Sequence, residues 1–251
     1  MIRVLIWNEN FHERTLESVK TVYPNGIHNC IKEFLSVNDD LDLRTATLDQ
    51  PNLGLSDQLL AETDVLFWWG HMKHGEVPDE WVAKIQRRVL EGMGLIVLHS
   101  GHHSKIFKAL MGTTGNLRWR DDDRERLWNL APNHPVMKGI PEYFELETEE
   151  MYGERFDIPQ PQEILMLGWF AGGEVMRSVC TWTRGLGRVL YFQPGHETCP
   201  TYHHPQVQKL LTNAVYWAAP NRIVELSCPH VGKSPEKRRA SGIPSPEDTV
   251  R

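Results

Sequence analysis

Short apolar runs alternate with helical spacings along the first half of the chain. Residues 3–7 (Arg-Val-Leu-Ile-Trp) are mostly apolar and of strand length, and they break into the polar Asn8-Glu9-Asn10-Phe11-His12-Glu13. After Pro24-Asn25-Gly26, the positions Ile27, Cys30, Ile31, Phe34 and Leu35 repeat at i, i+3, i+4, i+7 and i+8, the stripe of an amphipathic helix. Residues 41–48 alternate apolar and polar, which suits a strand near a sheet edge. Ser56 is placed to cap a helix carrying Leu59 and Leu60. Residues 64–69 (Asp-Val-Leu-Phe-Trp-Trp) are continuously apolar after the first, as in a strand buried on both faces. Pro78-Asp79-Glu80 opens a helix with residues a first turn favours; Trp81, Val82, Ile85 and Val89 are its apolar positions, and Gly92 and Gly94 close it. An apolar strand over 94–98 then meets the turn His99-Ser100-Gly101-His102-His103-Ser104, and a short helix follows through Ile106, Phe107, Leu110 and Met111. Repeated strand–helix order predicts a parallel sheet with helices on both faces.

Residues 113–162 break this rhythm. Asp121-Asp122-Asp123-Arg124-Glu125-Arg126 reads as a solvated loop or hairpin turn. Three adjacent aspartates on an extended chain point in alternating directions, so they do not form a metal site. Glu145-Leu146-Glu147-Thr148-Glu149-Glu150-Met151-Tyr152-Gly153 is a dense group of carboxylates beside a tyrosine. Two strands, over 163–170 and 174–182, flank the hairpin signal Ala171-Gly172-Gly173. A further strand over 188–192 exits into Gln193-Pro194-Gly195-His196-Glu197, and a last helix carries Val207, Leu210, Leu211, Ala214 and Val215. From Pro229 onward there is almost nothing to bury. The chain is therefore expected to divide into an α/β domain over 1–222 and an extended polar tail over 223–251. A neighbouring subunit of a homo-oligomer is expected to cover that tail.

Composition narrows the function classes. A chain of 251 residues suits one large α/β domain with a sizeable core. The net charge of −6, with no basic stripe before the tail, excludes nucleic acid as the expected partner. No apolar run reaches membrane-spanning length. Four cysteines without a CxxC pair, behind a strand-like start, lead to the expectation of a reduced cytoplasmic protein with free thiols. Among nine tryptophans, Trp7, Trp68, Trp69, Trp169 and Trp182 flank polar turns. Rings at a pocket rim stack on the C–H faces of sugars; the same rings also fill cores and subunit interfaces.

Strand, abrupt turn and helix over 94–104 are the parts of a nucleophile elbow, which lifts a side chain above the carboxyl edge of a parallel sheet. His99 or Ser100 stands at its top. Histidine follows four of the strands: His12 after the first, His71 and His74 after the third, His99, His102 and His103 after the fourth, and His196 after the last. In a parallel sheet these exits share one edge, so the imidazoles are expected to converge. Such a group suits either general acid–base chemistry or a transition metal such as zinc, for which His71, His99 and His196 are the candidate ligands.

Trp68-Trp69-Gly70-His71, Val97-Leu98-His99-Ser100-Gly101, Glu149-Glu150-Met151-Tyr152-Gly153, Cys180-Thr181-Trp182 and Tyr191-Phe192-Gln193-Pro194-Gly195-His196-Glu197 resemble the ThuA family, the trehalose-utilisation proteins. The resemblance runs over roughly residues 2–219. It implies the class I glutamine amidotransferase-like fold, a flavodoxin-like three-layer sandwich with a mainly parallel central sheet, here with an antiparallel hairpin extension. It also implies a substrate such as trehalose or a related glucoside, in a keto form (3-keto among them) made by a partner sugar dehydrogenase. A keto group acidifies the neighbouring C–H, which opens isomerisation or elimination, besides hydrolysis, to an enzyme with a suitable base. On this reading His99 and His196 are the acid–base pair and Glu150 and Tyr152 their partners. Trp69, Ser100, Asn8 and Glu197 contact substrate, and a divalent metal, zinc first, would polarise the carbonyl. Amidotransferases place cysteine in a Gly-x-Cys-x-Gly elbow. Here His99 stands in its place and no cysteine is nearby, so glutamine hydrolysis through a thiolate is not expected. Ser100 as a replacement nucleophile would need His196 or His102 as its base. The alternative is a non-catalytic sugar-binding or regulatory protein on a degenerate amidotransferase fold.

Overall fold

In the computed structural model, which describes residues 1–230 and 232, the apolar repeats fold in the strand–helix order that the sequence predicts. The strands are β1 (Ile2–Asn8), β2 (Leu41–Thr47), β3 (Val65–Trp69), β4 (Gly94–Leu98), β5 (Arg118–Asn129), β6 (Tyr143–Gly153), β7 (Glu163–Phe170), β8 (Val175–Arg184) and β9 (Gly187–Phe192). The helices are α1 (His12–Thr15), α2 (Glu17–Val22), α3 (Ile27–Leu35), α4 (Asp57–Glu62), α5 (Asp79–Glu91), α6 (Lys105–Met111) and α7 (Pro205–Ala218). All nine strands join one sheet in the order β2-β1-β3-β4-β9-β8-β7-β5-β6.

Side-chain alternation along the parallel strands sorts the apolar residues into two cores. Val4, Ile6, Phe67, Trp69, Ile96 and Leu98 face one side, where Ile27, Ile31 and Leu35 of α3 and Val207, Leu210, Leu211 and Ala214 of α7 cover them. Leu5, Trp7, Leu66, Trp68, Leu95 and Val97 face the other, under Leu60 of α4, Ile85 and Val89 of α5, and Ile106 and Phe107 of α6. The predicted stripes are thus the buried faces. Ser56 caps α4 as expected, accepting from Leu59 N at 3.0 Å, and β2 is the edge strand that its alternation implies.

The second half corrects the expectation of a mainly parallel sheet with a hairpin added. β2, β1, β3, β4 and β9 are parallel, but β9/β8, β8/β7, β7/β5 and β5/β6 are antiparallel, so the sheet is mixed. Residues 121–126 are not a loop; they lie inside β5. Their charges are satisfied sideways. Arg120 pairs with Asp123 and Glu174, and Arg124 and Arg126 both reach Glu145 on β6 at 2.6 Å. The Arg126 guanidinium also lies over the rings of Trp128, Tyr143 and Trp169. Register shifts interrupt the β5/β6 ladder between Arg120 and Glu125. Bulges of this kind bend a strand and increase its twist, and the end of β6 comes back over the exits of the parallel strands.

Residues 223–230 have no regular structure, and Val224 N bonds the Glu91 carbonyl at 3.0 Å. Apart from Gly232, the rest of the tail expected on a neighbouring subunit lies outside the described residues. Among the described residues no helix is long and apolar enough to cross a membrane.

β4 starts against the end of α7. A Cβ on Gly94 would sit 2.5 Å from the Ala218 carbonyl oxygen and 2.8 Å from its Cβ. Gly94→Ala should therefore force β4 and α7 apart and cost about 1–3 kcal/mol. A lowered denaturant midpoint with unchanged m-value is the expected readout, and an unshifted midpoint would show that the contact yields freely.

Candidate functional site

The elbow is built as the sequence predicts, and His99 is its apex. Strand β4 stops at Leu98, His99 takes φ +46°, and a 3-10 turn over His99–His103 leads into α6, capped by Ser104. A left-handed backbone is costly for histidine. Here it turns the ring beneath the end of β6, where it is fully buried. Its Nδ1 lies 2.8 Å from the Gln193 carbonyl and its Nε2 lies 3.0 Å from Glu150 Oε2. A carbonyl oxygen only accepts, so Nδ1 carries a proton. The carboxylate opposite Nε2 favours a second one there, and so the imidazolium form of the ring. Burial opposes that charge, yet Glu150 raises the His99 pKa above its ordinary value. Burial likewise opposes ionisation of Glu150, and His99 outweighs it, holding the carboxyl below the usual range.

Tyr152 follows two residues later on β6 and lies on His99, the rings 4.7 Å apart and 12° from parallel. Its hydroxyl is 2.9 Å from Ser100 Oγ and 3.3 Å from His99 Nε2. Burial pushes the phenol well above its ordinary pKa, so it remains a donor. Ser100 Oγ has this phenol as its partner, while His102 Nδ1 is engaged by the Gly115 carbonyl at 2.6 Å. Among the described residues no histidine is hydrogen-bonded to Ser100 Oγ, so the base that a serine nucleophile needs is not in place. Thiolate chemistry is disfavoured as well: burial pushes Cys30 up to about 11 and Cys180 and Cys199 to about 12.

Carboxylates hold the surrounding loops. Glu9 accepts from the backbone N–H groups of His71, Met72 and Lys73 at 2.8–3.0 Å. Glu149 accepts from Gly195 N at 2.8 Å, from His196 N at 3.0 Å and from the Thr201 hydroxyl, tying β6 to the loop after β9. Glu197 Oε1 meets Nδ1 of both His12 and His71, the latter at 2.8 Å. His196 presents Nδ1 to Thr198, whose backbone N–H donates to it at 3.3 Å, so the ring proton sits on Nε2. Burial, with His99 next, lowers the His196 pKa, which keeps this ring neutral.

A cleft of about 530 Å³ opens over these groups, lined by residues that include His71, Ser100, Glu150, Tyr152 and His196. Five of the nine expected site residues therefore reach it. His99 is not at its surface; it lies beneath Glu150 and Tyr152. Trp69, Asn8 and Glu197, expected to touch substrate, stand behind the wall. Trp69 is 1% exposed and gives its indole N–H to the Gly195 carbonyl at 3.1 Å. Asn8 is buried between Glu13 and His28, and Glu197 is buried beneath His12 and His71. The rings of His71, His99 and His196 come together as expected, with centroids 5.5–6.4 Å apart. Both nitrogens of His99 are already engaged, however, so it could join a metal only by releasing Glu150. The three side chains whose donor atoms lie within 4.8 Å of one another are His12, His71 and Glu197. The far wall was not foreseen from the sequence: it is formed by Asn116, Leu117, Trp119 and Asp121, with Met72 beside them. A lone tryptophan within a charged run, 63% exposed in the fold, was the available signal.

His74 lines the same cleft, and burial, with His103, His71 and Lys108 nearby, lowers it to about 4. An unfolded chain takes up this proton near pH 6.5, the folded one only near pH 4. Between these values the unfolded state binds more protons, so stability falls as pH falls. Tm measured from pH 6.5 down to about 4 should drop less steeply in His74→Asn than in the wild type. Equal slopes would show that the ring does not stay neutral.

The ThuA family profile, described as trehalose utilisation, matches residues 3–218. No curated protein sequence matches the chain. The fold is similar to that of a ThuA-like protein from Parabacteroides merdae ATCC 43184, with TM-score 0.61 and 18% identity over 90% of this chain and 92% of that one. It is similar too to a ThuA-like protein from Bacteroides uniformis ATCC 8492, with TM-score 0.61 and 15% identity over 86% and 91% of the two chains. A cytoplasmic protein of Salmonella typhimurium LT2 matches with TM-score 0.58 and 12% identity over 87% of this chain and all of its own length. At these identities the structures establish the fold, while the profile spans β1 to α7, elbow and cleft included; this chain belongs to the ThuA family, the trehalose-utilisation proteins.

Proposed function

We propose that the chain is an enzyme of sugar catabolism that moves a proton beside the keto group of an oxidised glucoside, with Glu150 as the base. The observation that carries this reading is a cleft-lining carboxylate held at 3.0 Å by the buried His99 ring. His99 keeps Glu150 ionised and oriented through neutral pH. The same pairing lowers its basicity, so the carbonyl must be polarised for the neighbouring C–H to yield. Two donors that line the cleft would polarise it, the neutral His196 through Nε2–H and the Tyr152 hydroxyl. In an isomerisation the proton lost from carbon would reside on Glu150 and pass to the former carbonyl carbon, while the proton of the neighbouring hydroxyl passes to the former carbonyl oxygen; in an elimination the β-oxygen would depart with its bonding pair and take up a proton.

The far wall supports a sugar. Trp119 and Met72 are exposed apolar surfaces at the rim, suited to the C–H face of a pyranose, and Asn116 and Asp121 are placed for hydroxyls. Trehalose utilisation as the family description supports the same class. A partner sugar dehydrogenase would supply the keto form. Unbridged cysteines among the described residues, and the cytoplasmic description of two Salmonella proteins of similar fold, support a cytoplasmic setting.

The reading is tested with trehalose and glucosides in their 3-keto forms, following C–H exchange in D2O by NMR. Glu150→Gln should lower kcat by roughly 10²–10⁴-fold; it should also lower Tm, since the buried His99 loses its charged partner, so turnover is compared well below the variant's own Tm. Full turnover by this variant would remove Glu150 as the base. His99→Asn, chosen because asparagine tolerates positive φ, should lower kcat with little change in KM, as expected of a residue that acts through Glu150. Wild-type binding across the panel without turnover would instead favour the non-catalytic sugar-binding reading.

A further inference from the structure

We propose that His12, His71 and Glu197 form a binding site for one divalent transition-metal ion of the zinc class, with its open position facing the cleft beside His196. This site is independent of the acid–base reading above. It also differs from the ligand set the sequence suggested, since it omits His99 and adds His12 and Glu197.

Two features of the geometry carry the proposal. The first is convergence. Nδ1 of His12 and Nδ1 of His71 approach the same oxygen, Glu197 Oε1, and their rings meet edge to face at 5.5 Å. One donor atom from each of the three residues lies within 4.8 Å of the other two. Tetrahedral zinc bonds of about 2.0–2.1 Å would set nitrogen and oxygen ligands roughly 3.3 Å apart, close to the 2.8 Å that now separates His71 Nδ1 from Glu197 Oε1.

The second is an unused carboxylate oxygen. The Glu197 side chain is 2% exposed, and its Oε2 has no hydrogen-bond partner among the described residues. His196 Nε2 stands 3.6 Å from it, beyond hydrogen-bond distance. A buried charged oxygen without a partner is costly, and such groups in native proteins often answer to an ion. Two imidazoles and one carboxylate are the donor set of catalytic zinc sites that keep a fourth position open. The supporting shell is already formed. Glu9 fixes the backbone at His71, and Glu149 fixes the backbone at His196, next to Glu197. His71 and His196 both line the cleft, so a bound ion would meet an oxygen ligand there, such as a sugar carbonyl or hydroxyl.

The test uses the full chain after chelator treatment, with calorimetric titration of Zn²⁺, elemental analysis and the visible spectrum of the Co²⁺ form. One ion per chain is expected, with a Co²⁺ spectrum of low coordination number. His12→Ala, His71→Ala and Glu197→Gln should each weaken Zn²⁺ binding by more than the roughly 10–100-fold that loss of a mere supporting partner costs. His99→Asn should leave it unchanged. If Glu197→Gln fails to fold, the two partly exposed histidine variants decide the matter. The proposal is overturned if no stoichiometric ion binds, as in a simple hydrogen-bonded triad. Binding insensitive to His12 and His71, or abolished by His99→Asn, overturns it equally. Zn²⁺ content is read without any substrate, so failure here is distinguishable from failure of the catalytic reading.

Discussion

The pairing of His99 with Glu150 is the interaction on which the site depends. It joins the two halves of the sheet: His99 follows directly on the parallel strand β4, and Glu150 sits near the end of the antiparallel strand β6. Neither charge is tolerable alone at that depth. Removing one partner of such a buried pair typically costs about 3–5 kcal/mol, because the other is left uncompensated. The remaining hydrogen-bonding capacity of the imidazolium goes to the Gln193 carbonyl, so both ring protons are used. Positive φ at His99 is the local cost of this arrangement, on the order of 1–3 kcal/mol. It aims the ring under β6, where a side chain lifted straight up from the elbow would have faced the cleft.

Other carboxylates extend the same logic to the surrounding loops. Glu9 gathers three successive backbone N–H groups and so fixes the turn carrying His71. Glu149 fixes the turn carrying His196. Glu197 sits between His12 and His71, and burial of that carboxylate is outweighed by the histidines, which hold its pKa well below the ordinary range. Histidines that share a sheet edge are thereby given defined orientations and, for His99 and His196, defined protonation. Acidic residues set what each imidazole can do, as an acceptor, a donor or a fixed cation.

Much of this was legible in the chain. The stripes of α3, α5 and α7 are their buried faces, and the continuous apolar run before Gly70 is a central strand. Glycine and histidine around residue 99 marked the elbow. Less legible was the antiparallel half, because β5 carries its charges in pairs with Glu145 and Glu174 and under aromatic rings; none of those partners is adjacent in sequence. A charged strand whose neutralising partners lie on other strands looks like a solvated loop when read alone. Trp69, Asn8 and Glu197, which the sequence offers as substrate contacts, are buried in the fold for a related reason. A polar or aromatic residue at a strand exit can face the cleft or stand behind it, and only packing decides which.

The sequence by itself determined the strand–helix alternation of the first half, the helices on both faces and the shared edge at which His71, His99 and His196 meet, because side-chain periodicity and chain direction are local properties. It also determined that no cysteine occupies the elbow. Tertiary structure alone decided that His99 is buried under Glu150, that Trp119 forms the opposite wall, and that His12 and Glu197 close on His71. Those outcomes depend on bulges that curl one half of the sheet over the other and on the pairing of charges far apart in the chain. Burial and electrostatics act on the folded neighbourhood, which no single stretch of sequence contains.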